Sequence, residues 1–263
     1  MGRAAKGTGP IMKDAFYPLD KKILIDFFFD SIHLTLLHYA LWFRETEHQL
    51  GLEKAIIADE AVWKQFLPTT MSRLAERLQL PVKDGTPELL ANLSKEDLID
   101  LLEDTAKNWL ACDGLWFQAI EKKYDPEMHT SKRINDTNWL RFSFIEAKTI
   151  MKRLNLPENG GIPALKEALT YRQYALINSW EIVELSENRI AFRIIDCRVQ
   201  SARKSKGLPD YNCKSGGMTE YSRFAEAIDP RIQTKCLSCP PDPHPDEWTC
   251  AWQFEIPDSS AGD

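Results

Sequence analysis

The stretch that decides the fold is residues 197–254, CRVQSARKSKGLPDYNCKSGGMTEYSRFAEAIDPRIQTKCLSCPPDPHPDEWTCAWQF. It holds five of the six cysteines, and Cys236 and Cys239 have the spacing that lets two sulfurs face one ion from a single turn. Extended segments at 231–237 and 248–256 flank its proline-rich loop. If they pair as an antiparallel hairpin, Cys236 comes nearly opposite Cys250. The stretch therefore predicts a small sheet with cysteines gathered at one end.

The sequence just before this stretch changes from helical to extended periodicity. Segments 180–185 and 189–197 have the pattern of two strands joined by a tight turn, and the second strand ends at Cys197. Short helices are expected at 198–207 and 219–228. The sequence thus predicts an α+β fold, in which a helical N-terminal part precedes a small antiparallel sheet with covering helices and a Cys-rich C-terminal end.

The expected organisation is a loose arm at 1–18, a helical part at 19–178 and a Cys-rich α+β part at 179–256, together forming one compact unit. In the helical part, Ser94 and Asp97 have the spacing of a capping box and should begin a long helix. Ser143 is the expected start of a later helix. The helices predicted from apolar periodicity are 19–50, 53–78, 87–93, 95–124, 143–156 and 163–178.

The first helix is strongly apolar, which favours a central buried helix. A membrane span is the alternative, but Asp26, Asp30 and two histidines interrupt the apolar run, and a span needs about 20 nearly uncharged residues. His38 lies between apolar neighbours and is expected to face an internal cavity as a catalytic candidate. Glu45 and His48 have the Glu-x-x-His spacing of helix-bundle metal sites, but a solvated helix end is the favoured interpretation.

Composition narrows the function classes. The net charge of −6 argues against a nucleic-acid binder, which would show a basic excess. The first ten residues lack the apolar core of a signal peptide, so the expected compartment is the cytoplasm, with no membrane partner. In a reducing compartment, clustered cysteines indicate a metal or redox site more than disulfides.

The cysteines predict a metal site with ligands Cys197, Cys213, Cys236 and Cys239. Zinc and an iron–sulfur cluster accept the same thiolates, and the sequence does not separate them. Cys250 is either a reactive catalytic thiol or replaces Cys197 as ligand, and His244 is an outside choice. The alternative is that the strand cysteines are simply buried and that Cys236 and Cys239 form a free or redox pair.

Two further groups of residues are candidates for substrate binding. Arg198 and Arg203 could pair with the carboxylate of an anionic small molecule, although a solvated basic face is the plainer interpretation. Asn108 and Asp113 are polar groups among the aromatic residues of helix 95–124, and Cys112 is expected to be a packed thiol.

The quoted stretch, together with HYALWFRETEHQLGLEKA and NGGIPALKEAL, resembles an uncharacterised family of cytosolic proteins of anaerobic bacteria and archaea. A more distant similarity is to L-2-amino-thiazoline-4-carboxylic acid hydrolase-like proteins and vinyl-reductase-type small-molecule-binding domains. It rests on the segment around Leu50 and Gly51, the Asp196-Cys197 strand end, Cys213, and the last strand from Cys250. The chain departs from that pattern at Cys236 and Cys239, and it lacks a second cysteine soon after Cys213.

Three function classes remain. The first is a small-molecule-binding protein or enzyme, with its pocket between the first helix and the sheet and a Cys-ligated metal beside it. The second is a metal-stabilised binding or regulatory module without catalysis. The third is a thiol redox protein that uses Cys236 and Cys239. Metal content is the observation that would discriminate them.

Overall fold

The computed structural model describes residues 16–83, 85–125 and 127–257. The chain divides into two compact units, Met1–Gln79 and Leu80–Asp263, which are called unit 1 and unit 2 below. Helix precedes sheet along the chain, which confirms the α+β class and the helical N-terminal part followed by a small antiparallel sheet. The arm at 1–18 falls mostly outside the described residues, and the other expected boundaries remain predictions.

Unit 1 is a helical hairpin of α1 (Lys21–Leu50) and α2 (Leu52–Leu78), with the positive φ of Gly51 at the reversal. Asp20 caps α1 by accepting a hydrogen bond from the backbone N–H of Ile23 at 2.9 Å. The two helices meet where the Tyr39 hydroxyl donates to Asp59 Oδ1 at 2.8 Å. All thirty residues of α1 are described and none is buried, so the expected central buried helix is wrong.

By length and composition α1 is a candidate membrane span. It has a mean hydropathy of 1.3 over its most apolar window and lies near the N-terminus. It is the candidate found among the described residues, and a single such helix is weak evidence for a membrane protein.

Unit 2 begins with two very short strands and then the helices that frame the sheet. The Ser94–Asp97 capping box is present, and the long helix spans the predicted residues. The helix predicted to begin at Ser143 begins at His129 instead, and the last predicted helix is split by a turn at Tyr171. The elements are β1 (Val82–Lys83), β2 (Thr86–Pro87), α3 (Glu88–Ala91), α4 (Lys95–Tyr124), α5 (His129–Leu154), α6 (Gly161–Thr170) and a 3-10 helix (Gln173–Leu176).

The main sheet has four antiparallel strands in the order β3–β4–β6–β5. Its elements are β3 (Ser179–Ser186), β4 (Arg189–Asp196), β5 (Gln233–Ser238) and β6 (Cys250–Glu255), with α7 (Arg198–Lys204) and α8 (Lys214–Ile228) between β4 and β5. Cys236 pairs with Trp252, and the register shifts before Ser238. Cys236 was predicted nearly opposite Cys250, and its partner Trp252 lies two residues further along β6.

Helix α8 packs on the sheet and carries the core of unit 2. Trp252 and Phe224 have no exposed surface, and the rings of Tyr221 and Trp252 stack at 4.8 Å. Gly217 makes this approach possible, because a Cβ at that position would lie 2.4 Å from the Trp252 ring. The close packing fixes the N-terminal end of α8 at the sheet end where the cysteines lie.

Candidate functional site

Five cysteines meet at one end of the main sheet, around Cys250. The interaction with the Cys250 side chain is the largest cause that raises the pKa of Cys239, and Cys250 also contributes, beside burial, to the raised pKa values of Cys197, Cys213 and Cys236. The gathering of the cysteines at one sheet end is as the sequence predicted. Ser238 pairs with Ala251 after the irregularity at Leu237, so the next residue, Cys239, comes to Cys250, whereas Cys236 pairs with Trp252, two residues away.

Hydrogen bonds from α7 and from the neighbouring loops surround these thiols. The buried Gln200 side chain donates to the Tyr211 carbonyl at 2.9 Å, and its Nε2 lies 3.2 Å from Cys213 Sγ. The Lys214 N–H donates to the Pro240 carbonyl at 3.0 Å, which joins the start of α8 to the loop after Cys239. Cys213 is the N-cap of α8, so the helix start and the proline-rich loop converge on the same thiols.

Burial keeps the innermost thiols protonated. It raises the pKa of Cys197 to about 11 and the pKa of Cys213 well above its ordinary value. A buried thiol of this kind is a poor nucleophile unless a metal or cation stabilises the thiolate. Within the described residues, which include all six cysteines, no three His, Cys, Asp or Glu side chains are arranged to hold a metal ion.

Beside the thiols lies a second set of titratable groups from several different elements. The phenol of Tyr174 is influenced by Glu220, Asp113, Cys197 and Cys213. The phenol of Tyr211 is influenced by Cys213 and Asp113. We call this set the polar–thiol cluster, and its members are Asp113 of α4, Tyr174 of the 3-10 helix, Cys197 and Cys213 at helix starts, Tyr211 of the loop before α8, and Glu220 of α8.

Glu220 is the member of the cluster with a neutral-range pKa. Burial raises its pKa from 4.5 to about 7, an effect that outweighs the attraction of Arg172. Arg172 is 1% exposed, and its Nε donates to Glu146 Oε2 at 2.9 Å. Its Nη1 lies 2.8 Å from Glu220 Oε1 as an ion pair without hydrogen-bond alignment. One guanidinium is thus shared by two buried carboxyl groups, and Glu220 is the one that can hold a proton near neutral pH.

Asp113 and Tyr211 are half-buried yet poorly solvated. Burial raises the pKa of Asp113 and, strongly, that of Tyr211. The Tyr211 hydroxyl is buried and has no hydrogen-bond partner among the described residues. The Phe117 ring packs edge-on against the Tyr211 ring, with the two centroids 5.2 Å apart. Lys132 Nζ lies 4.9 Å from the Tyr211 ring centroid and donates a hydrogen bond to Asp136 Oδ1. The side chain of Tyr211 therefore lies against an aromatic ring and a lysine side chain.

The structure distributes the other predicted residues over several places. Arg203 is half-buried, but its Nε donates to the Pro209 carbonyl at 2.7 Å, whereas Arg198 is exposed. Asn108 is exposed on α4, whereas Asp113 on the same helix is half-buried. His244 Nδ1 lies 2.8 Å from the Pro245 carbonyl oxygen.

Two predictions about burial are wrong. Cys112 is exposed, so it is not a packed thiol. His38 is exposed on α1 rather than facing an internal cavity, and it belongs to unit 1, whereas the cysteines belong to unit 2. Neither residue therefore gains support as part of the site.

Sequence reasoning missed Glu220, Tyr174 and Tyr211. Glu220 occurs in an ordinary amphipathic helix, and its burial depends on Arg172, which lies 48 positions earlier in the sequence. Tyr211 precedes Cys213 by two residues, and that nearness to a candidate ligand was the available signal. The Gly216–Gly217 pair in the first turn of α8 was the signal that this helix approaches another element closely.

Comparison with known proteins identifies a family but no characterised relative. Residues 17–94 and 91–256 match the model of a family of unknown function, DUF6125. The curated proteins and the solved structures provide no match.

Proposed function

Because the chain belongs to DUF6125, a family of unknown function, we propose its function from the geometry: unit 2 is a small-molecule-binding domain whose ligand site is the polar–thiol cluster. The observation that carries the proposal is the convergence of Asp113, Tyr174, Tyr211, Glu220 and two thiols from separate elements at one sheet end. Ligand sites combine an apolar or aromatic lining with a few convergent polar groups and perturbed pKa values.

Exposure and pKa together support a cleft rather than a solid core. Asp113, Tyr174 and Tyr211 each keep accessible surface, yet burial is the largest cause of the raised pKa of each side chain. Side chains that line an enclosed cleft have this combination, because a small molecule reaches them while bulk water solvates them poorly. The Tyr211 hydroxyl has no hydrogen-bond partner among the described residues and is itself buried, so a ligand that satisfied it would have to displace the side chains that cover it.

The charge balance of the cluster favours a basic or neutral ligand over the anionic one expected from Arg198 and Arg203. Two cations beside the cluster are paired with carboxylates, Lys132 with Asp136 and Arg172 with two glutamates. A third, Arg203, lies with its guanidinium carbon 5.8 Å from the Tyr211 ring centroid and donates from Nε to the Pro209 carbonyl. Asp113 retains a raised pKa, which an ammonium group beside it would reverse by stabilising the carboxylate. A ligand with an amine and an aromatic ring would match both the carboxyl groups and the ring walls.

A Cys-ligated zinc ion or iron–sulfur cluster beside this site is the second element of the proposal. The thiols that would serve as ligands are Cys213, Cys236 and Cys239, with Cys197 or Cys250 as the fourth. Their support is the gathering of all five thiols around Cys250. Metal binding would require these protonated thiols to lose their protons and the loops to close in.

A thiol redox function is the second candidate, and the strong influence of the Cys250 side chain on the pKa of Cys239 favours it. In this version the redox pair is Cys239 and Cys250, not Cys236 and Cys239. Oxidation would join the two sulfurs, and the two electrons and two protons would pass to a disulfide such as oxidised glutathione, giving two reduced thiols. Loss of two titratable thiols on treatment with oxidised glutathione, abolished in Cys250→Ser but kept in Cys112→Ser, tests this candidate.

The distant similarity to L-2-amino-thiazoline-4-carboxylic acid hydrolase-like proteins and to vinyl-reductase-type domains agrees with a small-molecule ligand. We also propose a cytoplasmic location, an occurrence in anaerobic bacteria and archaea, and a possible hydrolase activity. The support for these three points is the sequence and its resemblances alone. Glu220, with a pKa near 7, is the group in the site suited to exchange a proton with a ligand at neutral pH.

The proposal is tested with three matched probes that differ in charge: benzylamine, benzyl alcohol and benzoate. Each is added to the full chain, and the shift in thermal midpoint is measured, because a ligand that binds only the native state raises it. We expect benzylamine to stabilise most, benzyl alcohol less and benzoate not at all. A midpoint raised only by benzoate, or by none of the three, would overturn the proposed site.

A further inference from the structure

On helix α4 an acidic side chain lies between two aromatic ones. Trp109 comes one turn before Asp113 and Phe117 one turn after it, so the three side chains share one face of the helix. All three are half-buried. Next to Asp113, a Cβ added at Gly114 would meet only Gln118 Nε2, at 4.0 Å. The chain therefore leaves space beside the Asp113 carboxylate.

The Asp113 carboxylate lacks a partner within the described part of the chain. Neither a hydrogen bond nor an ion pair reaches it there, and burial alone raises its pKa. Glu220, the other carboxyl group of the polar–thiol cluster, is matched to Arg172. A half-buried carboxylate without a partner is a group that a bound cation would stabilise.

Four aromatic rings meet at the Trp109 end of this helix face. The Trp109 ring stacks on Phe142 with centroids 5.3 Å apart, and its centroid lies 5.6 Å from that of Trp139 and 5.1 Å from that of Tyr174. Trp139 is 5% exposed, whereas the other three keep accessible surface. We call these four residues the Trp109 ring cluster. Its half-buried rings are the ones that a ligand beside Asp113 can reach.

The opposite end of the same face already holds cations of the protein. Phe117 packs against Tyr211, and Lys132 and Arg203 lie 4.9 and 5.8 Å from the Tyr211 ring centroid. Trp109 and Phe117 are eight residues apart, which corresponds to about 12 Å along a helix. A ligand cation is therefore repelled less at the Trp109 end than at the Phe117 end.

We propose that Asp113 and the Trp109 ring cluster bind the quaternary ammonium group of a small molecule. This inference rests on the proposed function of unit 2 and names the kind of cation that its ligand carries. The faces of aromatic rings attract a cation, and tryptophan attracts it most strongly. Asp113 supplies the opposite charge.

The hydrogen-bonding capacity of the site favours a quaternary over a primary ammonium group. A primary ammonium has three N–H donors, each of which needs an acceptor once water is removed. Of the two carboxyl groups of the polar–thiol cluster, Glu220 faces Arg172, which leaves Asp113 to accept. A quaternary ammonium group has no N–H donor to satisfy, and its methyl groups can pack on ring faces.

The test compares benzyltrimethylammonium with benzylamine by calorimetric titration into the full chain. Both probes are cations at neutral pH and share the benzyl group, so the three methyl groups are what distinguishes them. We expect benzyltrimethylammonium to bind about tenfold more tightly, because its cation contacts ring faces without leaving N–H donors unsatisfied.

Trp109→Leu separates the contribution of the ring face from that of apolar contact. Leucine keeps an apolar side chain but has no ring face, so this variant should lose the preference for benzyltrimethylammonium, and Trp109→Phe should retain part of it. The control is Trp42→Leu, since Trp42 is 67% exposed on α1 in unit 1 and should leave both affinities unchanged. Near-UV circular dichroism checks that each variant is folded.

Benzyltrimethylammonium that binds no more tightly than benzylamine to the wild-type chain would overturn this inference and leave the ligand site standing, and this comparison needs no variant. Failure of both probes to bind would overturn the proposed function as well. A preference that persists in folded Trp109→Leu would also overturn the inference, because the methyl groups would then be recognised elsewhere.

Discussion

Arg172 Nη1 lies 2.8 Å from Glu220 Oε1 in the interior of unit 2, and the same guanidinium donates to Glu146. The rings of Tyr221 and Phe224 lie 5.3 and 4.6 Å from the guanidinium carbon. Arg172 thus ties α5, α8 and the 3-10 helix together next to the polar–thiol cluster. Its position explains how two carboxyl groups are tolerated in an aromatic core.

Replacement of Arg172 by methionine should destabilise unit 2 by about 3–5 kcal/mol, because two buried carboxyl groups lose their counter-ion. Denaturant unfolding measures the loss. Arg189→Met is the matched control, since Arg189 is exposed at the start of β4, and it should change stability little. Equal effects of the two substitutions would mean that the Arg172 ion cluster is not buried as described.

Glu220 should make stability fall as pH rises. Its folded-state pKa is about 7 against an ordinary 4.5, so the proton binds more tightly in the folded protein. The stability it contributes is therefore fully present below about pH 4.5 and is lost as pH rises through 7, by up to about 3 kcal/mol. Glu220→Gln should remove this slope in a series of unfolding curves, and Glu187→Gln should keep it. Parallel pH profiles for Glu220→Gln and wild type would contradict the raised pKa.

Gly217→Ala should destabilise unit 2 by more than about 2 kcal/mol, because the new Cβ would overlap the Trp252 ring. The matched control is Gly114→Ala in α4, where the nearest atom to the added Cβ is 4.0 Å away. That change should raise stability by up to about 1 kcal/mol through helix propensity. Thermal midpoints of the two variants should move in opposite directions, and a harmless Gly217→Ala would refute the close α8–sheet contact.

Metal analysis of the protein and of its cysteine variants distinguishes a metal site from a cluster of reduced thiols. Protein purified without oxygen should contain stoichiometric zinc, or iron with sulfide and a brown colour, if the thiols are ligands. Cys239→Ala should then release the metal and lower the thermal midpoint, whereas the exposed Cys112→Ala should do neither. Small and equal effects at every cysteine, without metal in the parent protein, would leave the thiols as a reduced cluster.

Local signals in the sequence predicted much of the fold. The Ser94–Asp97 capping box placed the start of α4, and the change of periodicity near Trp180 placed the sheet. The start of α5 was missed because residues 129–142 mix polar and aromatic side chains without a clear apolar stripe. The register of β5 against β6 was missed because the length of the loop between two strands does not by itself fix which residues pair, and the irregularity at Leu237 has no strong sequence signature.

The site was less predictable than the fold, because its members become neighbours only after folding. The cysteines were identified because cysteine is a metal-binding and redox-active residue type wherever it occurs in a sequence. Glu220 was not found, since nothing near it in the sequence indicates that Arg172 and the phenols will enclose it. The exposure of α1 and Cys112 was missed because an apolar sequence predicts a buried side chain but does not indicate which surface would cover it.

The measurement that tests the central claim most directly is a calorimetric titration of benzylamine into the full chain, into Asp113→Asn and into the exposed-site control Glu187→Gln. Asp113 supplies the carboxyl group of the site whose raised pKa an ammonium group would relieve. We predict that Asp113→Asn weakens binding about tenfold or more, which corresponds to roughly 1.4 kcal/mol, while Glu187→Gln binds like wild type. Equal affinity in all three proteins would contradict a ligand site at the polar–thiol cluster.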